Sequence, residues 1–280
     1  MTRWWQNVPR ALWLNWRRNG LRVPQSRIKY YVLGFYILLL VAWQALFSAQ
    51  IIPDFLFPSP PQVARRLWEL TADNYLWPSL IATFQRMGIG FSIAASLGLV
   101  IGVIMGMSRV VNSCLRSLFL GLQTLPTAAW VPVSLLIFGL SDHGIYFVII
   151  MSSAPAVALA ASDGIQHIPL IYLRVARTLG TPGYAMPVRV LLPASLPSIV
   201  TGLKLGWTLA WHGGVSAELI KSSIGLGFLL QMGRELNDAA QVIGIMVLTI
   251  LFGLVLDRFV FGLVQKRILV RWGLAPKSSG

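Results

Sequence analysis

Acidic residues are scarce in this sequence of 280 residues, which has 9 Asp and Glu against 23 Lys and Arg. Charged residues make up only 11% of the chain, whereas a soluble domain usually carries about 25%. So little charge cannot cover a soluble surface, and 56% of the residues are hydrophobic. Several stretches approach the roughly 20 apolar residues that cross about 30 Å of hydrocarbon, so the composition predicts one polytopic membrane domain.

Residues that carry enzymatic or metal chemistry are also few. Cys114 is the only cysteine, so no intramolecular disulfide is possible. His143, His167 and His212 are too scattered for a metal-ligand motif. The sequence contains no phosphate-binding Gly-x-x-x-x-Gly-Lys-Ser/Thr loop and no His-Glu-x-x-His or Gly-x-Ser-x-Gly pattern. We therefore expect no catalysis, metal or cofactor in this chain, and any ATP chemistry should lie in another subunit.

The net charge of +14 is concentrated beside the apolar stretches, which argues against a nucleic-acid partner. Basic residues before the first stretch and after the last predict that both termini are cytoplasmic. Residues 1–29 place Trp5 and Trp16 at helical spacing among arginines, which predicts an amphipathic segment on the lipid surface, with a solvated tail as the alternative. Residues 265–280 form a second basic segment. We expect the first apolar stretch to be retained rather than cleaved as a signal peptide.

The fold class predicted for residues 30–264 is an all-α bundle of six spans. The chain should leave the cytoplasm through the first span, and a short external helix should begin at Ser59-Pro60. An external loop is expected from Lys221 to Asp238. The predicted spans are Tyr30–Ala49, Leu80–Met107, Leu115–Leu140, Ile145–Ala161, Ser198–Ile220 and Ala239–Val264.

Glycine and proline positions within the spans predict how the helices pack. Gly98, Gly102 and Gly106 lie four residues apart, so one face of the second span should approach a neighbouring helix closely. Pro126 and Pro132 each remove a backbone hydrogen bond, so they should bend the third span.

Ionisable residues inside spans are costly in lipid, which makes them candidate functional residues. Arg86, His212 and Glu218 are of this kind. Lys204 is explained by snorkelling or ion pairing.

The longest polar interval between spans, Asp163 to Pro197, is predicted to be cytoplasmic. Pro169 can open a helix there, and Gly180 can close it. One face of this helix is apolar and another is basic, so it is either a capped loop helix or a segment that docks into a groove on another protein. The apolar stripe consists of Ile171, Val175 and Leu179, and the basic side of Arg174 and Arg177.

The segment Arg174-Val175-Ala176-Arg177-Thr178-Leu179-Gly180, followed after nine residues by Val190-Leu191-Leu192-Pro193, resembles the Glu-Ala-Ala coupling-loop motif of ABC importer permeases. The resemblance extends from about Phe57 to Trp272 and looks closest to the nitrate, sulfonate, taurine and bicarbonate branch. Its other pieces are Phe57-Pro58-Ser59-Pro60, Gln123-Thr124-Leu125-Pro126, Val131-Pro132, Phe138-Gly139, Val215-Ser216-Ala217-Glu218 and Gly225-Leu226-Gly227.

Two positions depart from the family motif. Arg174 stands where the glutamate is expected, and Val175 replaces the first alanine. The charge reversal alters one docking contact, whereas the spacing between Gly180 and Pro193 is intact.

The resemblance implies the permease subunit of a type I ABC importer in the bacterial inner membrane. Its implied partners are a second permease copy, two ATPase subunits that bind ATP and Mg, and an external binding protein that delivers a small polar, anionic solute. Coupling to the ATPase is assigned to Pro169, Ile171, Arg174, Val175, Ala176, Arg177, Leu179, Gly180 and Pro193. The translocation pathway is assigned to Arg86, Pro126, Pro132, His212 and Glu218.

Two other classes of membrane protein remain as alternatives. An ion-gradient-driven secondary transporter or channel would be favoured by inverted repeats and broken midplane helices, and no convincing repeat is present. A membrane enzyme has almost no supporting residues.

Overall fold

The computed structural model describes residues 25–51, 53, 56–221, 224–263 and 267, and these form helices and turns without a β-strand. This confirms the predicted all-α class. The predicted amphipathic segment from Trp5 to Trp16 and the basic tail beyond Arg267 lie outside the described residues. The α-helices of the described part are α1 (Gln25–Ser48), α2 (Pro60–Ala72), α3 (Leu76–Met107), α4 (Arg109–Gln123), α5 (Trp130–Phe138), α6 (Asp142–Gln166), α7 (Leu170–Thr178), α8 (Leu192–Lys221), α9 (Leu226–Glu235) and α10 (Ala239–Leu256).

Helix α1 belongs to the first of the two compact units into which the chain divides, and this unit ends at Pro60. Its side chains from Tyr30 onward are apolar and largely exposed, which suits contact with lipid. Near its end, the indole Nε1 of Trp43 donates a hydrogen bond to the Pro58 carbonyl oxygen at 3.1 Å. The Trp43 and Phe57 ring centroids lie 6.3 Å apart. The segment after α1 therefore folds back onto the helix.

Within the described residues, five helical stretches are long and apolar enough to cross a membrane. The third predicted span, Leu115–Leu140, is wrong as a single kinked helix. In its place α4 and the helical residues Thr127–Phe138 meet at 94°. Six spans are obtained only when this bent pair counts as one. The five stretches are Tyr30–Ser48, Leu76–Met107, Asp142–Gln166, Gly183–Ile220 and Ala239–Phe259.

The break in the third span lies at Pro126. Its backbone is extended, with φ −55° and ψ 139°, and a 3₁₀ turn over Thr127–Ala129 follows. Proline has no amide hydrogen and disfavours helical geometry in the residue before it, so the α4 helix cannot run through this position. Pro132 instead lies in the first turn of α5, where an amide hydrogen has no intrahelical acceptor. The predicted bend is thus confirmed at Pro126 and wrong at Pro132.

Helix α6 packs against both α3 and α8. It is the most buried of the candidate spans, since 67% of the residues in its apolar stretch are buried. A Cβ atom added at Gly102 of α3 would lie 2.6 Å from the Ala158 carbonyl oxygen. On the opposite side, a Cβ at Gly202 of α8 would lie 2.2 Å from the Ala160 Cβ. Glycine therefore allows backbone-level contact, which confirms the predicted close packing. Gly98, Gly106 and Gly206 approach α6 in the same way.

Helix α2 confirms the helix predicted after Ser59-Pro60. Val63 and Leu70 are buried on its apolar side. On its polar side, Arg66 Nε lies 2.6 Å from Asp238 Oδ2, and Arg66 Nη2 donates to Gln241 Oε1 at 3.0 Å. Asp238 also accepts a hydrogen bond from the Gln241 amide at 2.9 Å, which caps the first turn of α10. These contacts fix α2 against the start of α10.

The predicted external loop from Lys221 to Asp238 contains a further helix, α9, which the sequence reading missed. Leu226 and Leu229 of α9 are fully buried in the same apolar core as Ile245 of α10. The amide Nε2 of Gln241 donates to the Leu229 carbonyl oxygen at 2.8 Å. Among the described residues of this loop, the apolar face of α9 therefore packs in the same core as α10.

Candidate functional site

A buried carboxylate lies near the carboxyl end of α8. Glu218 is 1% exposed, and its oxygens accept hydrogen bonds from donors on two other helices, α3 and α9. Oε2 accepts hydrogen bonds from Thr83 Oγ1 of α3 at 2.8 Å and from the Gly227 amide at 3.2 Å. Oε1 accepts from Arg86 Nη1 at 3.2 Å. A buried carboxylate with this many donors does not carry an uncompensated charge.

The Arg86 guanidinium extends the network to two further elements. Its Nε donates to Asp142 Oδ1 at the start of α6 at 3.2 Å. Its Nη1 also donates to the Ile224 carbonyl oxygen at 2.5 Å. The structure thus brings together Arg86 and Glu218, two of the residues assigned above to the translocation pathway. The charged groups of this network hold α3, α6 and α8 together at one end of the bundle.

Two glycines let the chain after α8 approach the Glu218 side chain. Gly225 has φ +146°, and a Cβ added there would lie 2.6 Å from Glu218 Oε2. A Cβ at Gly227 would lie 2.5 Å from the Glu218 Cβ. Two pieces of the sequence resemblance, 215–218 and 225–227, are therefore parts of one packed unit.

The helix predicted between Pro169 and Gly180 is confirmed as α7, which begins at Leu170, and its role in ATPase coupling stays a prediction. Gly180 has φ +76°, the left-handed conformation predicted for it. The Thr181 amide donates to the Ala176 carbonyl oxygen at 3.0 Å, and the Gly180 amide to the Arg177 carbonyl oxygen at 3.0 Å. These bonds close the helix and turn the chain towards the next segment.

The apolar stripe of α7 is not buried by the described part of the chain. Ile171, Val175 and Leu179 are 60%, 48% and 80% exposed. The stripe is therefore not packed against the described part of the bundle. Arg174 and Arg177 are exposed as well. An exposed stripe of this kind suits a groove on another protein.

The opposite side of α7 is attached to the bundle. Ala176 is buried, and Leu173 packs on a core cluster formed by Ile165, Ile168 and Leu191. Ile165 belongs to α6, whereas Leu191 ends a π-helical turn, Pro187–Leu191, that leads directly into α8 and Pro193. Helix α7 is thus in contact with the ends of two spans.

A cavity of about 760 Å³ lies between α8 and α10. His212 lines it, as do Lys204 and Asp257, whose Nζ and Oδ2 atoms lie 3.1 Å apart. This pair confirms ion pairing, one of the two explanations for Lys204. The other predicted pathway residues, Arg86, Pro126, Pro132 and Glu218, are not among the described residues that line the cavity.

Several site residues were missed by the sequence analysis. Thr83, Asp142 and Asp257 are polar partners of the charged residues it singled out. Thr83 could have been identified from the sequence, because a residue three positions before Arg86 lies on the same face of the helix. The other two are brought in by tertiary packing alone. No group of three or more His, Cys, Asp or Glu within the described ranges is placed to hold a metal ion.

Comparison with known proteins agrees with these features. The nitrate import permease protein NrtB of Leptolyngbya laminosa is 31% identical over 246 residues, which cover 85% of this chain and 86% of the relative. The taurine transport system permease protein TauC of Escherichia coli is 30% identical over 244 residues, covering 85% and 89%. The bicarbonate transport system permease protein CmpB of Synechococcus elongatus is 34% identical over 189 residues, covering 67% and 68%.

The fold is similar to that of a solved chain of the MetNI methionine ABC transporter, with a TM-score of 0.53 and 20% identity. The match covers 73% of this chain and 98% of that one. Residues 98–269 match the family described as the binding-protein-dependent transport system inner membrane component, which confirms the resemblance drawn from the residues. Because this match spans more than half of the sequence, the chain belongs to the family of binding-protein-dependent transport system inner membrane components.

Proposed function

We propose that this chain is the membrane permease of an ATP-driven importer for a small anionic solute. Membership of the family supports the role in transport. The relatives named for nitrate, taurine and bicarbonate support the solute class, because each of these solutes presents an oxyanion group. The chain performs no covalent chemistry, and ATP and Mg are bound by separate ATPase subunits.

Coupling to ATP hydrolysis is supported by the surroundings of α7, because one side of this helix is exposed and the other packs on the bundle. Its stripe of Ile171, Val175 and Leu179 is open, whereas its Leu173 side contacts the core cluster that holds α6 and the start of α8. A partner protein that binds the exposed stripe can therefore displace the ends of two spans. Arg174 replaces the glutamate of the family motif, so the ATPase groove should offer an acidic or neutral group at that contact.

The working transporter would contain two copies of this chain, two ATPase subunits on the cytoplasmic side and an external binding protein. We place it in the bacterial inner membrane with both termini in the cytoplasm. Closure of the ATPases would move α7, and α7 would tilt the spans and change access to a central path.

The test is uptake by the complex purified from its native membranes and reconstituted into liposomes. We expect an ATPase to co-purify, and uptake of nitrate, taurine or bicarbonate to require ATP and to persist when ionophores collapse the ion gradients. Uptake that needs no ATP and stops with ionophores would instead establish the secondary-transporter alternative.

A further inference from the structure

Four polar side chains recur at every fourth position of α8: Lys204, Thr208, His212 and Ser216. Residues four apart lie on one face of a helix. Thr208 and His212 are exposed, and Lys204 and Ser216 are half-buried. At a rise of about 1.5 Å per residue, this α8 stripe is about 18 Å long, more than half of the hydrocarbon thickness.

The α8 stripe lies on an otherwise apolar span. Leu205, next to Lys204 in sequence but on another face, is exposed and apolar. The exposed α10 residues Val247 and Leu251 are apolar as well. The Thr208 and Ser216 hydroxyls donate to backbone carbonyls of the same helix, whereas Lys204 and His212 are ionisable, and ionisable side chains in spans face water or protein rather than lipid tails. The α8 stripe is therefore not a lipid-facing surface.

The cavity of about 760 Å³ described above opens along this stripe. Its walls are the indoles of Trp207 and Trp211 on α8 and the side chains of Ile250 and Leu254 on α10. At one end, Lys204 and Asp257 are each 37% exposed. A solute in the cavity can therefore reach the ammonium group without opening a buried ion pair.

We propose that the α8 stripe is the wall along which the oxyanion crosses the membrane, with Lys204 as its contact and Asp257 as the counter-charge that it displaces. This rests on the proposed function. Lys204 has three N–H donors, and the His212 ring has at least one in either tautomer, which matches an oxyanion with several acceptor oxygens. The Lys204 ammonium group keeps a negative partner throughout, because the solute takes the place of the Asp257 carboxylate while that carboxylate turns towards water. The second copy of the chain would supply the opposite wall.

The first arm of the test measures water access at single cysteines in a Cys114→Ser background. Thr208→Cys and Ser216→Cys are compared with Leu205→Cys on another face of α8, which is about 4.5 Å from Thr208 along the helix axis and is therefore its control for depth. The assembled complex with its ATPase is treated with a methanethiosulfonate that carries a sulfonate. We expect Cys at 208 and 216 to react at least about tenfold faster than Cys at 205. Equal rates at all three positions would overturn the proposal.

The second arm measures charge preference at Thr208→Cys with the sulfonate reagent and its trimethylammonium analogue. One unit charge about 6 Å away in water changes each rate about threefold, in opposite senses, so the ratio of rates changes about tenfold. Lys204→Gln should lower the sulfonate preference by that factor, and Asp257→Asn should raise it. The double variant keeps the net charge and should return close to the parent, even if Lys204→Gln alone fails to assemble. A ratio unaffected by Asp257→Asn and by the double variant would overturn the role of Lys204.

Uptake by the unmodified complex separates this inference from the proposed function. ATP-driven uptake of nitrate, taurine or bicarbonate together with an unreactive stripe would overturn the α8 wall alone. A reactive, charge-sensitive stripe in a complex that takes up none of these solutes would support the wall and overturn the proposed solutes.

Discussion

Arg86 and Glu218 are separated by 132 positions in sequence, yet Nη1 and Oε1 lie 3.2 Å apart in a buried part of the bundle. Asp142 shares the guanidinium, and Thr83 shares the carboxylate. Each charge therefore has a partner that comes from a different helix. This arrangement gives Arg86 and Glu218 a structural role, and their role in the pathway stays a prediction.

The pair can be tested with Arg86→Met, Glu218→Gln and the double variant. Each single change removes the partner of opposite charge across the pair, and we expect a loss of about 3 kcal/mol or more in the free energy of unfolding in detergent. The double variant should lose less than the sum of the singles by at least about 0.5 kcal/mol. Strictly additive losses would show that the two groups are not coupled. Arg65→Gln is the control, since its pair with Glu69 is largely exposed and should contribute less than about 1 kcal/mol.

Uptake by the same variants tests the predicted pathway role. If the Arg86 charge attracts the solute, the double variant should assemble normally and transport at a reduced rate. Transport by the double variant at the parental rate would leave these residues with the structural role alone.

Gly180→Val is expected to misdirect the chain after α7. Nothing lies within 4 Å of an added Cβ, so the cost comes from the positive φ of +76°, about 1–2 kcal/mol for a non-glycine residue and more for a β-branched one. We expect intact insertion of the spans with weaker ATPase co-purification, or with ATP hydrolysis uncoupled from uptake. Normal binding and transport would show that α7 is not the coupling element.

Two matched variants isolate the effect of backbone geometry at Gly180. Gly180→Asn should be close to the parent, because asparagine tolerates the left-handed conformation. Gly183→Val should also be mild, because Gly183 has an open surrounding and is not among the positive-φ glycines. A strong defect in either variant would point to lost contacts rather than to backbone strain.

Gly102→Ala should destabilise the contact between α3 and α6. The added methyl group would lie 2.6 Å from the Ala158 carbonyl oxygen, and backbone atoms cannot give way as a flexible side chain would. We expect a loss of about 1–3 kcal/mol in the free energy of unfolding in detergent. Gly88→Ala is the control on the same helix, where nothing lies within 4 Å. It should be neutral or stabilising by up to about 1 kcal/mol, because alanine favours the helix.

Membrane orientation is tested by single cysteines in a Cys114→Ser background. Asn74→Cys and Asn237→Cys lie in exposed turns on the predicted external side and should react with an impermeant reagent added outside intact cells. Gly183→Cys is exposed on the predicted cytoplasmic side and should react only after permeabilisation. External labelling at Gly183 would defeat the proposed topology.

Features that depend on neighbouring residues could be predicted from sequence. The left-handed turn at Gly180 follows from a helix end, a glycine and the nearby Pro182. The close face of α3 follows from glycines spaced four apart. Pro126 marked a break for a similar reason, but the 94° angle depends on what α4 and α5 pack against, which a local pattern does not contain.

Features that depend on distant residues could not be predicted. Glu218 drew attention as a buried charge, but its partners come from α3 and from the chain that follows α8. Helix α9 was missed because its ten residues carry too short an apolar pattern to be distinguished from a loop. Its Leu226 and Leu229 become informative only when α10 is known to lie beside them.

The glycine contacts on both sides of α6 limit how the bundle can rearrange. Gly102 and Gly202 place backbone against α6 with no layer of long side chains that could repack between the helices. A slide of one residue, about 1.5 Å, would bring bulkier positions against the same backbone. We therefore expect α3, α6 and α8 to move as one unit, so that a conformational change would rotate these helices together rather than slide one past another.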